Sequence, residues 1–265
     1  MPALPADLLL SQSALADFAE CPLRFRYRYL DGVRLPEATA PEVRTRVERG
    51  RAFHLLAHRH FAGLEPVVPP GVPHAAELAE WVRALHRFCS PRPDRTYLPE
   101  FELGLRAPDL PLAARYDLLV LEPDGRRTIY DWKTSPLPPS GRLAASLQTR
   151  VYRLVLALAG PPYAPAAPED IRMVYWYPGD PDQPAVLSYS AELLAEDAAV
   201  VGELVRRLRD TPAAAMAATD DDSVCRHCTY RPLCFGAARE EVAEEEEASE
   251  ILATFSWDDL PEVNP

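Results

Sequence analysis

The chain has 265 residues, of which 48% are hydrophobic and 26% charged, which is typical of a soluble globular protein with one large domain or two small ones. Ten acidic residues and one arginine in residues 239–265 account for most of the net charge of −12, so the nearly neutral remainder is compatible with a nucleic-acid partner. No run of about 18 uncharged apolar residues occurs and no basic region opens the chain, which argues against a membrane or secreted class and predicts a cytoplasmic protein.

The first 90 residues predict a mainly helical part, which we assign to residues 11–90. Ser11 or Ser13 is the expected N-cap of the first helix, and Pro22 is expected to break it. The predicted helices of this part cover residues 11–30, 42–63 and 74–89.

The character of the sequence changes near Tyr97, where segments rich in branched and aromatic residues begin. The predicted strands cover residues 101–107, 112–122, 127–134, 170–178 and 185–190. A long helix ending at Gly160 is expected over 140–160, and another over about 191–210. This order predicts an α/β core over residues 97–210, with a central mixed sheet flanked by helices.

Two of these strands form a predicted hairpin around the turn "PDG". If the turn centres on Asp124, Asp117 lies directly opposite Asp131, where like charges destabilise the pair. Lys133 then shares a face with Asp131, and Trp132 points to the other face. A Mg²⁺ or Mn²⁺ ion would relieve the repulsion between the carboxylates. The alternative is a solvated hairpin with scattered charges, and a register slip of one residue would separate the aspartates.

The residue Lys133 is the single lysine of a chain with 28 basic residues. Beside a metal ion, a compact ammonium group can orient a water molecule or stabilise charge that develops on a phosphate. A guanidinium group is bulkier and almost impossible to deprotonate, so it is a poor substitute. We therefore expect Lys133 to be catalytic, together with Asp131 and Asp117.

The motifs "AARYD" and "DWKT" resemble the paired motifs of the PD-(D/E)XK nucleases, in the RecB-like branch. "GRAFH", "QTRVY" and the opening "SQSALADFAECPLRF" resemble other motifs of that branch in the same order, and the resemblance covers about residues 11–235. It implies a restriction-endonuclease-like core in which His54, Asp117 and Asp131 bind Mg²⁺ or Mn²⁺, with the main-chain carbonyl of Trp132 as a further ligand.

The same resemblance implies that Gln148 and Tyr152, on one helical face, contact DNA or support the site. Taken singly, these would be ordinary polar and core positions, and His54 an ordinary helix histidine or half of a zinc pair with His58. The chain departs from the usual motifs in having Ala114 where the family has glycine and aspartate at position 131 where glutamate is usual.

A cysteine cluster over residues 221–236 combines the spacing C-x₂-C-x₅-C with a remote N-terminal cysteine. Its members are Cys225, Cys228, Cys234 and Cys21. In a cytoplasmic chain this spacing favours metal binding over disulfides, and a structural zinc site, with His227 as a possible ligand, is one interpretation. The resemblance to the iron–sulfur members of the branch, which include the CRISPR-associated Cas-four exonucleases and the AddB nuclease domain, implies a [4Fe–4S] cluster instead. The cluster would close the C-terminal segment onto Cys21 and give a single nuclease domain over residues 1–238.

The segment "RFRYRYL" interleaves Arg24, Arg26 and Arg28 with aromatic rings, which suits binding to single-stranded nucleic acid. The alternative is a helix with an aromatic core face and a solvated arginine face. We expect the acidic tail over 239–265 to be mobile, and its end "FSWDDLP" is a candidate partner peptide.

The expected function is hydrolysis of DNA phosphodiester bonds, by resemblance as an exonuclease on single-stranded DNA in repair, recombination or CRISPR adaptation. Since helicase motifs are absent from the sequence, an unwinding partner would be a separate chain. Two alternatives are a catalytically weak DNA-binding or assembly module of a larger nuclease–helicase complex, and a zinc-stabilised scaffold.

Overall fold

The computed structural model describes residues 8–35, 41–135, 140–159, 166–226 and 228–235. The acidic tail with its candidate partner peptide, Gly160 and His227 lie outside these residues, so the predictions made for them stay predictions.

The helices of the described residues follow the predicted order. They are α1 (Gln12–Glu20), α2 (Pro22–Phe25), a π-helical segment (Arg26–Leu30), α3 (Pro41–Phe61), α4 (Ala75–Phe88), α5 (Ser140–Ala145), α6 (Leu147–Ala159), α7 (Ala191–Asp210), α8 (Asp222–Arg226) and α9 (Arg231–Phe235), with 3₁₀ turns at Pro168–Asp170 and Ala213–Ala215. None of the helices in this part of the chain is long and apolar enough to span a lipid bilayer.

Five strands form one sheet in the order β1-β2-β3-β4-β5. They are β1 (Thr96–Ala107), β2 (Leu110–Leu121), β3 (Arg127–Trp132), β4 (Ile171–Trp176) and β5 (Ala185–Ser188). The β3–β4 pair is parallel and the other pairs are antiparallel. This mixed sheet with helices on both faces confirms the predicted restriction-endonuclease-like α/β fold.

Local signals explain where several helices begin. The Ser11 hydroxyl accepts a hydrogen bond from the Ala14 N–H at 3.1 Å, which confirms an N-cap at the first of the two expected positions. Pro22 breaks the run as expected and starts α2, since a proline is tolerated in the first turn, where its missing N–H has no helical partner.

The prediction of one continuous helix over 140–160 was wrong, because the chain breaks at Ser146. The Ser146 hydroxyl donates to the Leu143 carbonyl at 3.0 Å and accepts from the Thr149 N–H at 3.2 Å. These local bonds give the backbone an alternative to continuing the helix, and they cap α6. The break places Gln148 in the first turn of α6.

Two hydrophobic cores lie on opposite faces of the sheet. The α6-side core, which also involves α1 and α7, includes Tyr116, Leu119, Val155, Tyr175 and Val205. The α3-side core, which also involves α4, includes Phe53, Leu85, Leu118, Trp132 and Trp176. The strands between these cores are therefore buried on both faces over part of their length.

The regular alternation of side chains breaks near the middle of β1 and β2. Tyr116 and Leu119 both belong to the α6-side core although they are three residues apart, whereas strict alternation would place them on opposite faces. Directly across the sheet, Glu100 in β1 has a left-handed φ of 50° and is skipped in the strand pairing. The register places Glu100 opposite Asp117, so the irregularity in both strands coincides with the first predicted metal-binding aspartate.

Candidate active site

The β2–β3 hairpin has the predicted register, pairing Leu118 with Tyr130 and Leu119 with Ile129. Continued by one residue, this register puts Asp117 opposite Asp131. The backbone pairing stops there, and the Trp132 N–H donates instead to Asp117 Oδ2 at 2.7 Å. The side chain of Asp117 is thus fixed at the point where the two strands separate.

The histidine His54 reaches the same point from α3, where it is 5% exposed. Its Nδ1 lies 3.3 Å from Asp117 Oδ1, and its Nε2 lies 2.9 Å from the Trp132 carbonyl oxygen. The indole ring of Trp132 packs into the α3-side core, stacked on Phe61. Three of the groups predicted as metal ligands therefore lie together, with the Trp132 carbonyl facing the histidine.

The carboxylate of Asp131 is held by a triangle of contacts with Lys133 and Gln148. Lys133 Nζ lies 2.9 Å from Asp131 Oδ1 and donates to Gln148 Oε1 at 2.9 Å. Gln148 Nε2 in turn donates to Asp131 Oδ2 at 2.8 Å. The Lys133 ammonium also lies 5.7 Å from the centre of the Tyr175 ring, within cation–π range. The lysine is consequently held in one place by groups from three elements.

The electrostatics of the site leave an excess of negative charge. Asp131 is 3% exposed, and burial raises its pKa, with Lys133 opposing the shift and Asp117 adding to it. Burial also raises the pKa of Glu100, again with a contribution from Asp117, while His54 and Arg115 oppose it. Carboxyl groups whose charged form is disfavoured in this way would be stabilised by a cation placed among them.

The residue Glu100 was not predicted from the sequence. Among the described residues, one group of three His, Cys, Asp or Glu donor atoms lies within 4.8 Å of one another, and it consists of His54, Glu100 and Asp117. The predicted strand began at Phe101, one residue too late to include Glu100. A hairpin register extended from the turn at residues 108–109 would have placed Glu100 opposite Asp117.

The residue Tyr152 lies beneath the site, in the α6-side core. Its ring packs edge-on against Tyr116 at 5.2 Å, and its carbonyl oxygen accepts a hydrogen bond from the Tyr116 hydroxyl at 3.1 Å. Since Tyr116 precedes Asp117, these contacts hold the strand that carries the aspartate.

The arginines of "RFRYRYL" pair with acidic side chains. Arg24 Nε lies 2.7 Å from Asp17, and Arg28 Nη1 lies 3.1 Å from the same carboxylate. Arg26 Nε lies 3.0 Å from Asp31. These ion pairs reduce the positive charge that the segment offers to a phosphate backbone, and DNA binding by the three arginines stays a prediction.

The two ends of the described chain meet around the predicted cysteine cluster. The Leu23 N–H donates to the Ala217 carbonyl at 3.1 Å, and the Tyr230 hydroxyl donates to the Val33 carbonyl at 3.1 Å. Tyr27 and Tyr230 also pack against each other at 5.6 Å. The N-terminal helices and the C-terminal segment are thus joined by hydrogen bonds and aromatic packing.

The four predicted cysteines are free thiols within electrostatic range of one another. Burial raises the pKa of Cys225 and of Cys234, and the neighbouring Cys21 adds to both shifts. Burial also raises the pKa of Cys228, opposed by its hydrogen bond to the backbone and by the Arg24 guanidinium. Bringing these thiols together disfavours their thiolate forms, which a bound metal centre would stabilise.

A family model for the PD-(D/E)XK nuclease superfamily matches residues 9–235, which is most of the chain. The chain belongs to this superfamily. The match includes the strands that carry Asp117 and the Asp131-x-Lys133 motif, as well as the cysteine segment. A search of curated protein sequences finds no significant match.

Nucleases of the PD-(D/E)XK superfamily use divalent metal ions, and the donor atoms of this site fit such an ion. Carboxylate oxygens are the ligands that Mg²⁺ and Mn²⁺ favour, whereas imidazole is a more usual ligand of other divalent metals. The carboxylates of this site are buried or partly buried. Asp131 Oδ1 is buried and has no partner with hydrogen-bond geometry, although the Lys133 ammonium lies near it. That oxygen therefore retains capacity for a further ligand.

Proposed function

We propose that this chain is a DNA nuclease of the RecB-like branch that hydrolyses single-stranded DNA as an exonuclease. The observation that carries the proposal is the convergence of two groups where β2 and β3 separate. His54 with Asp117 lies on the α3 side of this point, and Asp131 with Lys133 is contacted from α6. An acidic metal-binding pair beside an ordered ammonium group suits phosphodiester hydrolysis.

In the proposed mechanism, His54, Asp117, Asp131 and the Trp132 carbonyl would hold Mg²⁺ or Mn²⁺. Such an ion would supply Lewis-acid stabilisation of the phosphate and would make water easier to deprotonate. Lys133 donates a hydrogen bond that orients the attacking water and offsets the charge that develops on the phosphate oxygens.

The proposed role of Gln148 is to keep Lys133 and Asp131 in their relative positions. Its amide oxygen accepts from the ammonium and its amide nitrogen donates to the carboxylate, so one side chain sets both. Tyr152, packed against Tyr116, supports the strand that carries Asp117. Arg24, Arg26 and Arg28 are proposed to contact DNA, with their acidic partners limiting the affinity.

We further propose that Cys21, Cys225, Cys228 and Cys234 hold a [4Fe–4S] cluster. In a tetrahedral zinc site with Zn–S bonds of about 2.3 Å, the sulfurs are about 3.8 Å apart. Among the described residues, no three of these sulfurs form a group within 4.8 Å. Each sulfur around an iron–sulfur cube binds a different iron, so a cluster does not require the sulfurs to approach one another as closely as a single zinc ion does.

The proposed cluster would be a structural staple for a single domain over residues 1–238. Joining Cys21 to Cys225 closes a loop of roughly 200 residues, for which the chain-entropy model gives a stabilisation of several kcal/mol. This staple would add to the contacts already present between the two ends of the described chain. The process served, whether repair, recombination or CRISPR adaptation, and a separate helicase partner remain part of the proposal.

The nuclease proposal is tested by following single-stranded DNA labelled at either end, with Mn²⁺, Mg²⁺ or EDTA. Wild type and Asp117→Asn are compared, with Asp210→Asn as a control because Asp210 lies at the end of α7. We expect metal-dependent degradation that only Asp117→Asn loses, and the two labels report polarity. Equal cleavage by Asp117→Asn, or binding without cleavage by cluster-loaded wild type, would favour the DNA-binding module.

The cluster proposal has its own spectroscopic test. Anaerobically purified protein should be brown, with broad absorption near roughly 400 nm and about four iron atoms per chain. Cys234→Ala should lose this absorption. The fifth cysteine of the chain, Cys89, is buried in the α3-side core, and Cys89→Ala should keep the absorption. Colourless protein with one zinc ion per chain would contradict the iron–sulfur assignment.

A further inference from the structure

The outer face of α3 combines an exposed leucine with two arginines. Leu55 is 62% exposed, which is as much as any large hydrophobic side chain among the described residues. Arg51 and Arg59 lie four residues before and after it, so the three side chains form a row with a spacing of one helical turn. We refer to Arg51, Leu55 and Arg59 as the α3 row.

The arginines of the α3 row are not neutralised by acidic side chains. Neither Arg51 nor Arg59 forms an ion pair with a described residue, and Arg59 Nε donates to the main-chain carbonyl of Glu65 at 3.1 Å. Glu48, which is exposed one turn before Arg51, does not pair with it either. The arginines of "RFRYRYL", by contrast, are held by carboxylates. The α3 row therefore offers more unpaired positive charge to a phosphate backbone than that segment does.

The α3 row lies beside the candidate active site. Leu55 directly follows His54 in the helix. The His54 ring is buried and contacts Asp117 and the Trp132 carbonyl. Successive residues of a helix are about 100° apart around its axis, so Leu55 faces solvent where His54 faces the site. A nucleic-acid strand that reaches His54 from the α3 side would pass over this row.

We propose that the α3 row binds the single strand next to the scissile phosphate, with Arg51 and Arg59 on phosphates and Leu55 against a base. Cationic groups on either side of an apolar surface suit a single strand, because its unpaired bases expose their faces. In a duplex those faces are stacked on one another and the leucine has no base to contact. The inference rests on the proposed nuclease function and deepens it, since it names a surface that selects a single strand.

The phosphate contacts are tested with the full-length, anaerobically purified chain. Fluorescence anisotropy measures its binding to labelled single-stranded DNA in EDTA, at several NaCl concentrations. Arg51→Gln and Arg59→Gln should each weaken binding by about three- to ten-fold. Each should also reduce the slope of log Kd against log [NaCl] by about 0.7, the value for one phosphate contact on a single strand. Arg209→Gln, at the exposed end of α7, is the matched control and should change neither quantity.

The base contact is tested with an oligonucleotide of the same length that lacks its bases. Leu55→Gln should bind normal single-stranded DNA about five-fold more weakly than wild type, and it should bind the abasic strand as wild type does. Leu158→Gln is the matched control, because Leu158 is 44% exposed and lies at the opposite end of α6 from Gln148. It should bind both strands as wild type does.

Unchanged affinity and salt dependence in both arginine variants would overturn the phosphate contacts. An equal loss of affinity for the normal and the abasic strand in Leu55→Gln would overturn the base contact. A Leu55→Gln chain that binds both strands normally but changes its oligomeric state in size-exclusion chromatography would assign the row to a contact between protein chains instead. These results leave the nuclease standing if wild type cleaves single-stranded DNA, whereas a wild type that neither binds nor cleaves it would refute the proposed function itself.

Discussion

Replacing Lys133 by methionine removes the ammonium group while keeping an unbranched side chain of similar length. The ammonium lies 2.9 Å from Asp131 Oδ1 and donates to Gln148 Oε1 at the same distance. Methionine has no donor for either oxygen, and it cannot donate to a water molecule or a phosphate.

The expected loss of rate is much larger than the expected loss of stability. A positioned proton donor or acceptor contributes about 10²–10⁴-fold to catalysis, which corresponds to about 3–5 kcal/mol of activation free energy. The lysine side chain is 18% exposed, so water can partly satisfy the oxygens it leaves. We expect the free energy of unfolding to fall by only about 1–2 kcal/mol.

The assay is single-turnover cleavage of end-labelled single-stranded DNA at saturating Mn²⁺, with Mn²⁺ affinity and thermal unfolding measured on the same samples. Lys133→Met should cleave at least 100-fold more slowly. It should bind Mn²⁺ at least as tightly as wild type, because a cation that repels the metal ion and occupies Asp131 has been removed. Arg209→Met, a charge removal at the exposed end of α7, is the matched control and should cleave normally.

Cleavage within about three-fold of wild type would refute a catalytic role for Lys133. A loss of cleavage that follows a loss of Mn²⁺ binding would show that the lysine supports the metal-binding geometry instead. Added Mn²⁺ would restore cleavage by a variant that has lost only metal binding. It would leave cleavage slow in a variant that lacks only the catalytic ammonium group.

Three further predictions concern stability, pH and the support of the lysine. Asp197→Asn should lower the free energy of unfolding by about 3–5 kcal/mol in urea unfolding, because the fully buried Asp197 accepts three hydrogen bonds from Nε and Nη2 of the buried Arg153. An unchanged unfolding midpoint would contradict this. Burial raises the pKa of Asp131 above its ordinary value of 3.8. The free energy of unfolding of the metal-free chain should therefore fall as pH rises through the raised pKa, and Mn²⁺ affinity should increase over the same pH window. A Mn²⁺ affinity that does not change with pH would be inconsistent with this. Tyr175→Leu should slow cleavage more than Tyr175→Phe, which keeps an aromatic ring near the lysine, and equal cleavage rates would argue against the cation–π contact.

The position of the β2–β3 hairpin follows from local sequence. The turn residues around Asp124 and the flanking branched residues define two strands, and the register observed between Leu118 and Tyr130 is the one that the turn predicts. Hairpin pairing depends on neighbours close in the chain, so the opposition of Asp117 and Asp131 could be inferred without tertiary information. The helical N-terminal part and the order of the strands were likewise predictable from periodicity and bounding residues.

Sequence reasoning did not predict the ion-pair partners of the arginines in "RFRYRYL" or the helix break at Ser146. Arg24 in α2 and Arg28 in the π-helical segment both pair with Asp17 in α1. Ser146 interrupts a strongly helical run because its hydroxyl bonds to local backbone groups. Polar residues such as these have several possible partners, and packing selects among them.

The order of helices and strands could be predicted from sequence because each element depends on residues that are near one another in the chain. The superfamily was indicated by the resemblance of motifs spread over residues 11–235. Tertiary structure decided the rest of the site. His54 meets Asp117 because α3 packs over the sheet, and Glu100 joins them because its strand leaves the regular conformation at that residue. A left-handed residue inside a strand is locally unfavourable, so only the packing around it can select that conformation.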